Sequence, residues 1–404
     1  MSFPYLVQVG DNLHRIARKF GINVPSLLAA NAQHHDHAYV MPGQILRIPV
    51  RPSRHYAVQK GDSYATIAHG FQISEKRLKQ INPAVPAERP QEGQVLLIPG
   101  QEGGLWNEPG LSYGYVELQK DLNRWKGAYP FLQQEAIGQS VLGREIAAVL
   151  LGTGSRRVHV NASVHANEWM TTPLLMKFVD DCAAALQHGT LFRGTDIASL
   201  LEHVSLHAVP MVNPDGVELA LCGIHPAHPY YAELTAWNNG SRQFQQWKAN
   251  IRGVDLNDQF PAHWETERER RSPNGPSPRD YAGEAPLSEP EAKALAVWTE
   301  RMDFHCVVSL HTQGEEIYWN YRGYEPEEAE QLANRLASVS FYRAVKLAGS
   351  DAGYKDWFIQ RFRRCGFTVE CGFGVNPLPA EQFPAMYERV SALLLEAMKA
   401  AAVG

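Results

Sequence analysis

A segment near the start of the chain occurs twice, and this repeat is the strongest constraint on the fold. The first copy, YLVQVGDNLHRIARKFGI at residues 5–22, returns at residues 56–73 as YAVQKGDSYATIAHGFQI. Both copies close on similar sequences, PGQILRIP at residues 42–49 and EGQVLLIP at residues 92–99. In each copy a short alternating strand leads into Gly-Asp, apolar residues follow at helical spacing, and a second strand ends the unit. The repeat predicts two small β-α-α-β domains.

The chain is long enough to hold a third, much larger domain after the repeats. It has 404 residues, of which 44% are hydrophobic. A single core seldom grows past roughly 250 to 300 residues before the chain divides into domains. We place the repeats at residues 3–50 and 54–100, a Gly-rich linker at residues 101–110, and the large domain at residues 106–404.

Both repeats resemble the LysM domain, through the Gly-Asp turn and the closing GQ-x-L-x-IP pattern. The resemblance implies binding of glycans that contain N-acetylglucosamine, in a groove between the loop after the first strand and the loop before the last. The residues that it places in the grooves are Gly10, Asp11, Gly43, Gly61, Asp62 and Gly93. A structural role is also open to them, because glycine and aspartate make turns and cap helices.

The composition gives no sign of a nucleic-acid or membrane partner. The formal net charge is -5 and the sequence pI is about 6.4, which excludes a strongly basic surface. The N-terminus lacks the pattern of an export signal, and no run approaches the ~18 apolar residues of a membrane span. The 5 cysteines are scattered, as is typical of reduced thiols. We therefore expect a cytoplasmic location.

Strand-like and helical segments alternate through the large domain. The strand-like runs are VHVNAS, VSLHAVP, CVVSLH and GFTVECG. Helical patterns cover residues 172–187, 289–302 and 325–339. This alternation predicts an α/β domain with a largely parallel or mixed sheet that is flanked by helices. Ligands bind such sheets at the carboxyl ends of the strands.

Four ionisable residues stand at the predicted ends of three strands: His165, Glu168, His311 and Glu370. Two histidines and one carboxylate are a common ligand set for catalytic zinc, which leaves a fourth position to water. The ion activates that water, and a nearby carboxylate takes its proton. Taken singly, each residue could be an ordinary hydrogen-bonded polar group. Together they predict that His165, Glu168 and His311 bind one Zn²⁺ per catalytic domain and that Glu370 is the general base.

The order of motifs resembles the zinc carboxypeptidase family over about residues 115–403. His-x-x-Glu, VNPDG, GVDLN, a strand that ends in His and a last strand that ends in Glu follow one another. The resemblance implies the same ligand and base roles, and it implies that Asn257 helps to hold a substrate carboxylate. The arginine that usually follows this asparagine is replaced by Asp258. An aspartate there would repel a C-terminal carboxylate, which an arginine would bind.

The same resemblance implies further substrate-contacting positions. Lys248 takes the place of the arginine that stabilises the oxyanion, and Arg252 is the next candidate. Tyr354 is the nearest match to a mobile tyrosine of the family. Lys355 matches the base of the pocket for the side chain after the cut, where it would attract an acidic group. A solvated surface lysine is the alternative for both Lys248 and Lys355.

The charges at these positions favour a substrate from the bacterial wall. Meso-diaminopimelate offers an ammonium for Asp258 and a carboxylate for Lys355 or Arg252, and matched pairs in a dry cleft discriminate strongly. The chain resembles a branch of the family that cuts the amide between γ-D-glutamate and the L-centre of diaminopimelate. The expected partners are stem peptides and glycan strands, inside sporulating cells or as released wall material. We expect the polar segment at residues 265–281 to be a flexible loop beside the cleft.

Two alternatives remain open at this point. One is a metallocarboxypeptidase that removes C-terminal residues from wall peptides or proteins. The other is a wall-binding protein whose large domain is catalytically inert. The complete set of predicted zinc ligands argues against the second.

Overall fold

The structure is a computed structural model. It describes residues 2–7, 12–13, 15–16, 27, 31, 40–41, 44–49, 54–71, 75–82, 85, 90–98, 112–271 and 273–403. The predicted groove residues Gly10, Asp11 and Gly43 and the linker at residues 101–110 lie outside these ranges.

The described parts of both repeats contain the expected paired strands. In the first repeat, β1 (Ser2–Leu6) pairs antiparallel with β2 (Ile45–Pro49). In the second, β3 (Arg54–Ala57) and β4 (Val95–Ile98) pair in the same way around helices α1 (Tyr64–Gly70) and α2 (Glu75–Ile81). The second repeat is therefore a complete β-α-α-β unit, as predicted. Its core is formed by Val58, Tyr64, Ile67, Ala68, Leu78, Leu96 and Ile98.

The turn of the second repeat is held by Asp62. Its Oδ2 accepts hydrogen bonds from the Tyr56 hydroxyl at 2.7 Å and from the Gln59 backbone N–H at 2.8 Å. Gly61 and Gly93 have φ values of 93° and 82°, a left-handed conformation that favours glycine. The structural role of these three residues is thus visible, and their contact with glycan stays a prediction.

The large domain is built on an eight-stranded mixed sheet, counted within residues 112–403. The strands are β5 (Gln133–Gln139), β6 (Glu145–Leu151), β7 (Arg156–Asn161), β10 (Val204–Val209), β11 (Cys306–His311), β12 (Glu316–Tyr318), β13 (Arg343–Val345) and β14 (Gly366–Glu370). Their order in the sheet is β13-β12-β14-β11-β7-β10-β6-β5, and the central strands β14, β11, β7 and β10 run parallel. Strands β7, β10 and β11 are almost wholly buried because helices cover both faces of the sheet, which explains their apolar sequences. A separate hairpin joins β8 (Leu191–Phe192) to β9 (Thr195–Asp196).

Helices flank this sheet as the sequence predicts. The last helix of the chain packs against β7 and β10. On the opposite face, the helices at Pro290–Met302 and Tyr354–Phe362 bury Trp298, Tyr354 and Phe358 against the sheet. The helices are α3 (Tyr115–Ala128), α4 (Thr171–His188), α5 (Ile197–Leu201), α6 (Pro214–Cys222), α7 (Tyr231–Trp237), α8 (Trp264–Arg270), α9 (Pro290–Met302), α10 (Ala329–Ser340), α11 (Tyr354–Phe362) and α12 (Phe383–Val403). Over the part of the chain that the structure describes, none of the helices is long and apolar enough to cross a membrane.

The expectation of a flexible loop at residues 265–281 is wrong for its first part, which is helix α8. Trp264 anchors the helix because its ring is buried with Ala282 and Ala352. At the other end, Arg271 Nε lies 2.8 Å from Glu267 Oε1, one helical turn earlier. Arg270 and Arg271 therefore pair with Glu267 within the helix instead of solvating a loop.

The VNPDG motif has a structural role next to the predicted zinc ligands. Asn213 caps α6, since its Oδ1 accepts the Gly216 N–H at 3.0 Å. Its Nδ2 donates to the carbonyls of Val164 at 3.2 Å and Ala249 at 3.1 Å. One buried side chain thus joins the residue before His165 to the loop that carries Lys248.

We expect Asn213→Ala to lower the free energy of unfolding by about 2–4 kcal/mol, because it removes a helix cap and leaves two buried carbonyls without a donor. Urea denaturation measures this change. Asn238→Ala is the matched control, since Asn238 Nδ2 also donates to two backbone carbonyls, at 3.1 and 2.9 Å, but in solvent. Its cost should stay below about 1 kcal/mol. Equal costs for the two variants would contradict this interpretation.

Candidate metal centre and active site

The predicted site residues converge at the carboxyl ends of the parallel strands. His165 and Glu168 lie in the turn that follows β7, and His311 is the last residue of β11. Glu370 ends β14, in register with His311 on the neighbouring strand. The sheet topology, in which β11 lies between β7 and β14, therefore places all four residues on one rim.

Three of these residues form a tight buried cluster. His165 Nδ1 lies 2.8 Å from Glu168 Oε1, and His311 Nδ1 lies 3.0 Å from Glu168 Oε2 and 3.1 Å from His165 Nδ1. Each of the three is at most 5% exposed. The Thr312 backbone N–H also donates to Glu168 Oε2, at 3.2 Å, which fixes the carboxylate between the two rings.

The donor set of this cluster fits a zinc ion. Tetrahedral bonds of 2.0–2.1 Å would place neighbouring donor atoms about 3.3 Å apart, close to the spacing seen here. Burial acts to lower the pKa of His165, but the Glu168 and Asp255 carboxylates together outweigh it and raise that pKa to about 9. An ion that binds here must therefore displace a proton, as is usual for histidine ligands.

Asp255 completes the surroundings of His165 and was not singled out from the sequence. Its Oδ1 lies 3.2 Å from His165 Nε2, the ring atom that faces away from Glu168. Burial would raise the pKa of Asp255, but Lys248 and His165 lower it well below its usual range, so it is ionised. A carboxylate in this position orients a metal-binding imidazole. The signal was present in GVDLN, two positions before Asn257.

The structure brings Lys248 into the site but not Arg252. Lys248 Nζ lies 2.7 Å from Asp255 Oδ2, and although burial opposes its charge, Asp255 and Asp258 raise its pKa. Lys248 is thus a charged group beside the cluster and not a solvated surface lysine. Arg252 instead lies 3.7 Å from Glu289 and is about half exposed.

Glu370 has the electrostatic surroundings of a proton acceptor. Its partly buried carboxyl faces the negative charge of Glu168, and burial together with that charge raises its pKa to about 8. Nearby positive charges on His165 and Lys248 act in the opposite direction. A bound dication would add to this lowering of the Glu370 pKa.

Asp258 is not open to a substrate, because Arg271 covers it. Arg271 Nε lies 3.0 Å from Asp258 Oδ2, and Arg271 Nη2 donates to Asp258 Oδ1 at 3.1 Å. Asp258 is 2% exposed, whereas the Arg271 side chain is 31% exposed. Burial and the charge of Asp255 raise the pKa of Asp258 to about 7. The group exposed at this position is therefore the guanidinium of Arg271. The sequence, with aspartate in place of the usual arginine at residue 258, predicted a negative charge there instead.

Tyr354 does not reach the site, and its predicted role needs correction. It begins α11 and points into the core, where its hydroxyl lies 2.8 Å from the Thr299 hydroxyl. Its backbone N–H donates to Asn257 Oδ1 at 3.2 Å. Asn257 is thus beside the start of α11, and it is only partly buried.

Lys355 is paired internally. It is 4% exposed, its Nζ donates to the Asn320 carbonyl at 2.7 Å, and it lies 2.5 Å from Asp356 Oδ1. It lines a cavity of about 370 Å³, bounded also by residues 320–323 and 346–350. Because Asp356 already balances its charge, Lys355 is not the free cation that the sequence suggested.

Comparison with known proteins identifies the class of protein. The zinc carboxypeptidase family model matches residues 118–391, and the LysM domain model matches residues 5–49 and 56–99. The chain belongs to the zinc carboxypeptidase family and is a zinc metallopeptidase with two N-terminal LysM domains.

Individual relatives narrow the comparison. The chain is 48% identical over 284 residues to gamma-D-glutamyl-L-diamino acid endopeptidase 1 of Lysinibacillus sphaericus, which covers 70% of this chain and 72% of that protein. It is 34% identical over 395 residues to the uncharacterized protein YqgT of Bacillus subtilis (strain 168). This alignment covers 97% of this chain and 96% of that protein. The crystal structure of thrombin activatable fibrinolysis inhibitor matches with a TM-score of 0.59 at 19% identity over 72% of this chain and 75% of that one, which establishes a shared fold alone.

Proposed function

We propose that this protein hydrolyses the amide bond between γ-D-glutamate and the L-centre of meso-diaminopimelate in wall stem peptides, while its LysM domains bind the glycan. The observation that carries the proposal is the 48% identity to a gamma-D-glutamyl-L-diamino acid endopeptidase across the domain that holds the site. The charged residues around that site support it.

In this proposal His165, Glu168 and His311 would hold a single zinc ion, with the two histidine Nδ1 atoms and the Glu168 carboxylate as donors. A bound Zn²⁺ lowers the pKa of water to about 7 and polarises the scissile carbonyl. Asp255 fixes the orientation of the His165 ring through its contact at 3.2 Å. The second carboxylate oxygen of Glu168 is held by the Thr312 N–H at 3.2 Å, so both His165 and Glu168 have an outer hydrogen-bond partner that orients them.

Glu370 and Lys248 supply the remaining chemistry. Glu370 accepts the proton of the attacking water and returns it to the departing amine of diaminopimelate, a task that suits a carboxyl whose pKa is raised by its surroundings. Lys248 Nζ lies 2.7 Å from Asp255 and carries a positive charge. We assign to it the stabilisation of the negative charge that forms on the scissile carbonyl oxygen when water adds to the carbonyl carbon.

The second amino-acid centre of diaminopimelate carries both an ammonium and a carboxylate. We assign its carboxylate to the exposed side of Arg271, in place of the earlier candidates Lys355 and Arg252. We assign its ammonium to Asp280, which is 29% exposed and lies 3.6 Å from Arg271 Nη1. A zwitterion fits such a pair because each charge meets its opposite, whereas a ligand with one charge leaves the other unmatched.

The function is tested by incubating the protein with defined muropeptides and identifying the products by mass spectrometry. From L-Ala-γ-D-Glu-mDAP-D-Ala we expect L-Ala-D-Glu and mDAP-D-Ala, and no products once a chelator has removed the metal. Glu370→Gln should retain zinc but lose at least about 10³-fold in kcat, as expected when a general base is removed. Release of D-Ala alone would identify a carboxypeptidase, and an intact substrate with zinc-loaded protein would refute hydrolysis.

The role of Arg271 is tested with two stem peptides that differ only in amidation of the second carboxylate of diaminopimelate. Arg271→Gln should lower kcat/KM for the free carboxylate by roughly 10- to 100-fold more than for the amidated peptide, the value of a charge-assisted hydrogen bond. Any loss common to both peptides reports the contact between Arg271 and buried Asp258. Arg279→Gln is the matched control, since Arg279 also pairs with Asp280, at 3.2 Å, but is 65% exposed. A uniform loss on both peptides would mean that Arg271 is only structural.

A further inference from the structure

A row of buried polar side chains runs across the sheet behind the metal cluster. His159 and Asn161 alternate with apolar residues on β7, and Ser309 and His311 do the same on β11. Asn161 and Ser309 are opposite one another in the parallel register. His159, Asn161 and Ser309 are each at most 1% exposed. Polar groups so deep in a core cost stability unless every hydrogen bond is satisfied.

In each hydrogen bond of this row, the donor and the acceptor can be assigned. The assignment starts at His159, the member of the row farthest from the metal cluster. His159 Nδ1 lies 2.9 Å from the backbone carbonyl of His207, and a carbonyl can only accept. His159 Nδ1 therefore carries the proton. Burial lowers the pKa of His159 to about 3, so its ring is neutral and Nε2 is an acceptor.

The neutral His159 ring then determines which atom donates and which accepts in the hydrogen bonds of Asn161, Ser309 and His311. His159 Nε2 accepts from Asn161 Nδ2 at 3.3 Å, which orients the amide. The other end of that amide, Oδ1, accepts the Ser309 hydroxyl at 2.6 Å. Because the Ser309 hydroxyl donates its proton to Asn161, Ser309 Oγ can only accept from His311 Nε2, which lies 3.4 Å away.

We propose that His159, Asn161 and Ser309 form a positioning relay that keeps the proton of His311 on Nε2 and leaves Nδ1 as a bare donor toward the metal. The inference rests on the ligand role of His311 in the proposed function. Within the cluster the Glu168 carboxylate, 3.0 Å from His311 Nδ1, competes for the same proton. The relay opposes that competition because Ser309 Oγ is a buried acceptor for a proton on His311 Nε2.

The relay differs from the arrangement at His165. There a carboxylate, Asp255, faces the ring nitrogen that is remote from the cluster. His311 has neutral groups on that side, so its ring is oriented without an added negative charge. The relay would thereby limit the total charge in a pocket that already holds Glu168, Asp255 and Glu370.

The test compares Ser309→Ala with Ser205→Ala. Ser205 is a matched control because it is buried on the adjacent β10, with its hydroxyl 3.0 Å from His207 Nε2, while the relay uses the backbone carbonyl of His207 and not its ring. Zinc affinity is measured by chelator competition, and the exchangeable ring N–H signal of His311 is measured by NMR of the Co²⁺-substituted protein. We expect Ser309→Ala to bind zinc 10- to 100-fold more weakly, as for other outer partners of metal ligands, and to lose the N–H signal to solvent exchange. Ser205→Ala should match the wild type in both.

Equal zinc affinity and an unchanged N–H signal in Ser309→Ala would overturn the relay while leaving the metal site intact. A wild-type protein that binds no zinc would overturn the metal site and the relay together. Should Ser309→Ala fail to fold, Asn161→Ala breaks the same chain one step further from His311. The same loss of affinity and of the N–H signal is expected there, and their retention would contradict the relay.

Discussion

The site depends on the parallel register of three strands. β11 pairs with β7 on one side and with β14 on the other, so that His311 lies beside Glu370 and opposite the turn that carries His165 and Glu168. Parallel pairing aligns the carboxyl ends of neighbouring strands, and residues distant in the chain become neighbours there. A slip of one residue in β11 would turn His311 away from the cluster and place an apolar side chain in it. The polar row behind His311 depends on the same register.

Charge balance is the second constraint on this rim. Glu168, Asp255 and Asp258 are buried within a short distance of one another, and isolated carboxylates would be costly there. His165, Lys248 and Arg271 each lie within about 3 Å of one of these acids, and the proposed metal would add positive charge. The site is therefore a set of mutually compensated charges rather than a collection of free groups, which explains why Asp258 is less available than its sequence position suggests.

The sequence predicted those parts of the site that lie at the ends of strands. The strand-like runs before His165, at His311 and at Glu370 are rich in valine and other apolar residues, and the alternation of strands with helices indicates where they end. Arg271 could not be predicted in this way, because its contact with Asp258 depends on how α8 packs around Trp264. The prediction that Tyr354 contacts the substrate was wrong for a related reason. The first turn of α11 faces the core, and neighbouring residues on a helix point in different directions.

The central claim is that His165, Glu168 and His311 share one metal ion. Diffraction data collected on both sides of the zinc absorption edge, from crystals of protein purified with zinc, test this directly. We predict a single strong anomalous peak within about 2.3 Å of a donor atom from each of the three residues. An anomalous peak elsewhere, or ligands drawn from other residues, would contradict the account.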